Sequence, residues 1–155
     1  MKKCASVYSR KGALYVRASS QTTAGVWIDS DSVEKLDSGV APHQKGEAVL
    51  RALTESVQGI AHPTSWRNND DDPLWGPGGF AGVRSWRAFL NGCSCVAVTL
   101  DVDSLRFDAW KNEGPKNGFT PLPHKGIRLP SDASPPEIGV ALDRALALCE
   151  PPPSR

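Results

Sequence analysis

Near the start of the chain apolar and polar residues alternate with a period of two, which predicts a β-meander. Cys4 to Ser9 is the first strand, Arg10-Lys11-Gly12 a turn, and Ala13 to Ala18 the second strand. After a connection at Gln21-Thr22-Thr23, Gly25 to Asp29 is the third. A polar loop runs from Ser30 to Pro42, and then the period changes. Val49, Leu53 and Val57, with Ala48 and Ala52, fall on one face of a helix from about Gln44 to Val57, which Gly59 ends.

From His62 to Gly82 no period survives, because Pro63, Pro73 and Pro77 with four glycines forbid regular structure. Trp66, Trp75 and Phe80 lie inside this stretch, so an ordered, packed-down loop is expected. Ser85 then caps a short helix with Trp86, Phe89 and Leu90 on one face, and Gly92 stops it. Cys93 to Leu100 is nearly continuously apolar and reads as a central strand. Leu105 to Trp110 alternates as a half-buried strand. Phe119-Thr120 and Gly126 to Leu129 are short strand candidates. Pro135-Pro136 opens a last helix, Glu137 to Cys149, with Ile138, Leu142, Ala145, Leu146 and Cys149 on one face.

The two long helices share more than a period. Gly46, Ala48, Arg51, Ala52 and Leu53 meet Gly139, Ala141, Arg144, Ala145 and Leu146 at one offset of 93, which also pairs Leu36 with Leu129 and Pro42 with Pro135. An offset of 91 pairs Cys4 with Cys95, Val7 with Val98 and Leu14 with Leu105. The expected fold is therefore α+β: an antiparallel sheet packed by two main helices, as two internal β-β-β-α repeats joined by the irregular aromatic loop. Residues 1–150 form one domain, with candidate repeats at 4–58 and 95–149, a linker at 59–92 and a disordered tail at 151–155.

Composition narrows the function classes. With 18 basic and 17 acidic residues the net charge is +1, without the basic excess of a nucleic-acid binder. No apolar run approaches the ~18 residues of a membrane span, and the lysines at the N-terminus are not followed by a signal-peptide core. A soluble, cytoplasmic protein is expected. Cys4, Cys93, Cys95 and Cys149 have neither zinc spacing nor the density of a disulfide framework, and read as reduced thiols.

Candidate chemistry is sparse. His43, His62 and His124 adjoin prolines in stretches read as loops, with no helix-borne pair at i, i+4. Asp70-Asp71-Asp72 does not match the spacing of an EF-hand. Gly76-Pro77-Gly78-Gly79 lacks the ending of a phosphate loop, and Ser85 lacks a nucleophile elbow. No metal ligand set or cofactor is expected. What remains is interaction chemistry. Trp66 and Trp75 flank the aspartate triplet, an arrangement of aromatic anchors beside fixed charge. Asp29, Asp31, Glu34 and Asp37 form a second acidic run with one lysine, suited to a basic partner. The candidate partner-binding residues are Asp29, Asp31, Glu34, Trp66, Asp70, Asp71, Asp72 and Trp75. An alternative reading is a small metal-dependent hydrolase or nuclease using His62, His124 and the aspartate triplet.

Four segments carry a resemblance: Ala24 to Ile28; Gly46-x-Ala48-x-x-x-Ala52-Leu53; Ala81-Gly82-Val83-Arg84-Ser85-Trp86-x-x-Phe89; and Glu137-Ile138-Gly139-x-Ala141-Leu142. Together they resemble the CdiI-like immunity proteins of bacterial contact-dependent growth inhibition systems, over roughly residues 13 to 148. Gly-Val-Arg-Ser-Trp is the most specific piece. The resemblance implies a cytoplasmic, non-enzymatic inhibitor. It would bind the C-terminal toxin domain of a cognate CdiA-type effector, commonly a nuclease, and block its active site or substrate path, with no direct contact to nucleic acid or membrane. The matching motifs look like core and turn positions, so the resemblance transfers no interface residue. Inhibitors of nucleases are often strongly acidic, whereas this chain is neutral, so mimicry of a polyanion would be local, at 29–37 or 70–72.

Overall fold

A computed structural model describes residues 2–66 and 71–151. Its elements in chain order are β1 (Lys3–Arg10), β2 (Ala13–Thr22), β3 (Trp27–Asp29), β4 (Glu34–Asp37), α1 (Pro42–Glu55), β5 (Gln58–Ile60), α2 (Trp86–Leu90), β6 (Ser94–Leu100), β7 (Ser104–Asn112), β8 (Phe119–Pro130) and α3 (Pro135–Leu148). Among the described residues the eight strands form one sheet, ordered β3-β2-β1-β6-β7-β8, with β4 and β5 also paired to β2. All pairings are antiparallel except β2 with β5. The fold is α+β, as the periodicities predict.

Period-two alternation gives the sheet two unlike faces. Ala5, Val7, Leu14, Val16, Val96, Val98, Leu105 and Phe107 point to one side and meet Ala48, Val49, Leu53, Ile138, Leu142 and Ala145 of α1 and α3 in the main core. The other side carries Tyr8, Tyr15 and Cys95, roofed at one end of the strands by Leu74, Trp75, Phe89 and Cys93 in a second cluster. Beyond that roof lie half-buried, small residues such as Cys4, Ser6, Ala97 and Thr99.

The two long helices cross at glycines. A Cβ on Gly46 would stand 1.9 Å from the carbonyl oxygen of Pro135, and one on Gly139 would stand 1.9 Å from that of Pro42. Nearby, the buried Lys45 donates to both carboxylate oxygens of Asp143 at 2.9 Å, tying α1 to α3. Ser134 caps α3, accepting from Glu137 N while Glu137 Oε1 accepts from Ser134 N. The reciprocal crossing has a counterpart in the sheet. Ser6 sits opposite Ala97 at its centre, and β6 and β7 begin 91 residues after β1 and β2. We propose that the halves are copies of one β-β-β-α unit related by a two-fold through this point.

Several boundaries differ from the sequence reading. Glu34–Asp37, read as loop, is a strand on the edge of β2, because Leu36 packs against the core between exposed Lys35 and Asp37. α1 starts at Pro42 and ends at Glu55, so Val57 leaves the helix and is 47% exposed. Phe119–Pro130 is one long edge strand, in which Pro121 and Pro123 are tolerated because the outer side needs no amide donors. A bulge between Asp108 and Trp110 of β7 absorbs its irregular centre. The short helix α2 forms as expected, with Ser85 Oγ accepting from Ala88 N at 3.2 Å and Gly92 at φ 74° after it.

Candidate interaction rim

Arg17 is the residue that sequence reasoning passed over. It stands in the apolar run Leu14-Tyr15-Val16-Arg17-Ala18, and its side chain is completely buried. A buried guanidinium must be paired and hydrogen-bonded to be tolerated. Its Nε donates to Ser30 O at 2.9 Å, and its Nη2 donates to the same carbonyl. Its Nη1 donates to Asp72 Oδ1 at 3.0 Å and its Nη2 to Asp72 Oδ2 at 3.3 Å. Its Cζ lies 5.6 Å from the Trp75 ring centroid. One cation in the middle of β2 thus holds together two acidic runs that are separated by about 40 residues in the chain.

Of the three aromatics expected to pack the irregular loop down, Trp75 does so, while Trp66 and Phe80 stay 61% and 50% exposed. Trp75 meets Tyr8 edge-on at 6.1 Å and lies 4.6 Å from Trp86 and 5.2 Å from Phe89, centroid to centroid. Asp72 Oδ1 also accepts from Leu74 N at 2.8 Å, turning the chain inward. From below, the fully buried Asn112 donates to Leu90 O and Cys93 O and accepts from Gly114 N, fixing the end of α2. An Asn just before Gly114-Pro115 was the available sequence signal for this role.

The eight candidate residues separate by environment. Asp29 is half-buried and inward-facing: it accepts from Ser19 Oγ at 2.7 Å, Tyr8 OH at 3.1 Å and Ser6 Oγ at 3.4 Å. Burial, with Asp29 beside it, pushes the Tyr8 phenol well above its usual range. Glu34 is engaged by Arg51, whose Nε and Nη2 donate to its two oxygens at 3.0 and 2.6 Å. Asp72 is committed to Arg17. Trp75 is 6% exposed and therefore corrects the expectation of an accessible anchor: it is a strut of the second core. Asp70 lies outside the described residues. The exposed members are Asp31, Asp71 and Trp66, the last 61% exposed with its ring edge-on to His62.

These define a rim along the β2–β3 edge. Asp31 follows Ser30 and Asp71 precedes Asp72, the two residues that hold Arg17. Asp71 also lines a hollow of about 650 Å³ with Asp72, Pro73 and residues 76–80, where Phe80 is 50% exposed. Trp66 marks the far end. His62 Nδ1 is 3.0 Å from Thr22 Oγ1, and Thr22 is five residues beyond Arg17, about 16 Å along the strand. Fixed negative charge beside exposed aromatic rings suits a basic protein surface.

The hydrolase alternative does not find its constellation. His62 sits beside β2 and His124 on β8, four strand spacings of about 4.8 Å apart. His43, read as a loop residue, is in the first turn of α1, and His124 lies within a strand at φ 69°. Among the described residues no group of three His, Cys, Asp or Glu side chains could hold a metal ion. The thiols are not poised as nucleophiles either: burial pushes Cys93 up to about 12, Cys95 well above its usual range, and raises Cys4 and Cys149. Among the described residues no helix is long and apolar enough to cross a membrane.

Comparison with known proteins gives this architecture a context. Residues 79–149 match the family model described as CDI immunity protein, CdiI. The segment runs from the end of the aromatic loop through α2, β6, β7, β8 and α3. Over 97% of this chain and 98% of the other, the structure is similar to a chain of the CdiA-CT/CdiI toxin and immunity complex from Yersinia pseudotuberculosis, with 19% identity and a TM-score of 0.72. It is also similar to NMB0488, a protein of unknown function from Neisseria meningitidis, with 17% identity, a TM-score of 0.75, and coverage of 97% of this chain and 96% of that one. No curated protein matches the chain.

Proposed function

We propose that this chain is a CdiI-like immunity protein that binds and neutralises the toxin domain of a cognate CdiA-type effector. The observation that carries the reading is the CDI immunity protein match over residues 79–149, which includes the Gly82-Val83-Arg84-Ser85-Trp86 segment. The protein acts by occupying a surface of the toxin and makes or breaks no bond itself. It does so in the cytoplasm, where an incoming toxin would act.

The rim of Asp31, Asp71, Trp66 and Phe80 is the proposed contact surface. Its local negative charge on a chain of net charge +1 suits a toxin whose own surface is basic, as a nuclease substrate path is. The toxin is accordingly proposed to be a nuclease, blocked by an acidic surface standing where the phosphate backbone would lie.

The test uses the C-terminal toxin domain of a candidate cognate CdiA-type effector. Asp31→Lys with Asp71→Lys should weaken binding at least tenfold and flatten its salt dependence, with each affinity referred to the folded fraction of the variant. Protection of nucleic acid from the toxin should fall in parallel. Wild-type affinity and salt slope in the double variant would remove the rim from the interface. A toxin with no nuclease activity would remove the polyanion argument while leaving the immunity reading in place.

A further inference from the structure

The two long helices present comparable flanks to the two edges of the sheet, and one of them is left open. On the first flank Arg51 of α1 reaches the edge strand β4 and closes on Glu34 with two hydrogen bonds. The space left there, beside Ala48 and Ala52, is about 120 Å³. At the offset of 93 the second flank has Arg144 for Arg51, Ala141 for Ala48 and Leu129 for Leu36, but Ile127 where Glu34 would be. The acid that would complete the pair is missing. Between α3 and β8 the result is a groove of about 340 Å³, with Ile127, Leu129, Val140 and Ala141 along it and Arg144 and Glu137 toward its ends.

Charge distinguishes the two ends. Arg144 is exposed and makes no hydrogen bond or ion pair within the described residues. Glu137, two helical turns earlier and about 10 Å away along the axis, has its Oε1 held by Ser134 Oγ at 2.8 Å in the helix cap. The neighbouring Asp143 is held by Lys45. Val140, 49% exposed, stands between the charged ends on the outer face of α3. An apolar trough with one unused guanidinium calls for an apolar side chain followed by a carboxylate.

We infer that the α3–β8 groove receives a segment of the toxin domain that places an apolar side chain over Ile127 and Val140 and an Asp or Glu carboxylate on Arg144. The contact restores between two proteins the arginine–carboxylate pair that the first flank makes within the chain. It rests on the immunity reading, and adds a point of attachment on the opposite edge of the sheet from the acidic rim. Loss of the contact shows mainly as faster dissociation.

The experiment measures binding of the same candidate cognate toxin domain to the wild type, Arg144→Glu, Arg144→Lys and Val140→Asp, by surface plasmon resonance, with sedimentation of each chain alone. Both altered positions are exposed, so melting temperatures should stay within about 2 °C of the wild type. Arg144→Glu and Val140→Asp should each raise Kd at least tenfold through the off-rate, and Arg144→Lys should stay nearer the wild type. Wild-type affinity in both Arg144→Glu and Val140→Asp, with the toxin bound, would exclude the groove and leave the immunity reading intact. A wild type that fails to bind the toxin would remove both. A self-association of the free chain that Val140→Asp abolishes would assign the groove to a second copy and overturn the toxin segment.

Discussion

Replacing Gly46 with alanine tests how closely the helix layer is built. The added Cβ would lie 1.9 Å from Pro135 O, 2.5 Å from Pro135 C and 2.7 Å from Pro135 Cα, all backbone atoms that no rotamer change can move. An ordinary contact needs about 3.3 Å, so α1 and α3 must separate by about 1.4 Å at the crossing. Overpacking costs about 1–3 kcal/mol and occasionally more, and a clash with fixed backbone belongs at the top, about 3–4 kcal/mol, against a helix-propensity gain of about 1 kcal/mol for Gly→Ala. A net loss of about 2–3 kcal/mol follows, lowering Tm by roughly 5–10 °C for a domain of this size. Gly139→Ala meets the same three atoms of Pro42 at the same distances and should cost the same. Because one separation of the helices relieves both clashes, the double variant should fall short of the sum by about 1–2 kcal/mol. Urea unfolding followed by circular dichroism gives all four corners of the cycle. Neutral single variants, or strict additivity, would refute a shared close crossing.

Two further outcomes follow from the open side of the sheet. Trp75→Ala should destabilise by about 3–4 kcal/mol and lower Tm by roughly 8–15 °C, with any loss of toxin affinity tracking the loss of folded protein; an unchanged Tm with lost binding would mean that Trp75 is an exposed anchor after all. Stability should also fall at alkaline pH. Buried Cys93 keeps its proton to about pH 12 in the folded protein, while the unfolded thiol ionises near 9, so its contribution is complete below pH 9 and drains away between 9 and 12. The slope is about 1.4 kcal/mol per pH unit. Cys93→Ala should flatten it over this window in urea titrations, and an unaltered slope would show that Cys93 is not buried in the folded state.

How far the chain could be read in advance followed from how local the governing interactions are. α1 and α3 bury one face each, written as a period in neighbouring residues, and β2, buried on both sides, is written as a nearly continuous apolar run. The cap at Ser85 and the turn at Gly92 are likewise local. β4 escaped because it is four residues long and only Leu36 of it reaches the core. β8 was divided because its prolines signal a break, and an outermost strand can carry them. At the candidate site the acidic runs and aromatics were legible as types, yet their fates were not. Asp29 and Asp72 turn inward to hydroxyls and to Arg17, partners 10 or more residues away, while Asp31 and Asp71 face solvent. The pattern within each run does not distinguish them. Nor could it show that Ile127 occupies the place of an acid, since that depends on comparing two distant edges.

The Arg17 tie divides labour within the loops it joins. Asp72 and the Ser30 carbonyl are spent on the interior, and what remains on the outside is attached to a fixed foundation without being part of it. Asp71 and Phe80, exposed beside the tie, can therefore be exchanged for other residues while Arg17, Asp72 and the Ser30 carbonyl keep the loops moored. Substitutions at such rim positions would change the surface a partner meets and leave the architecture in place.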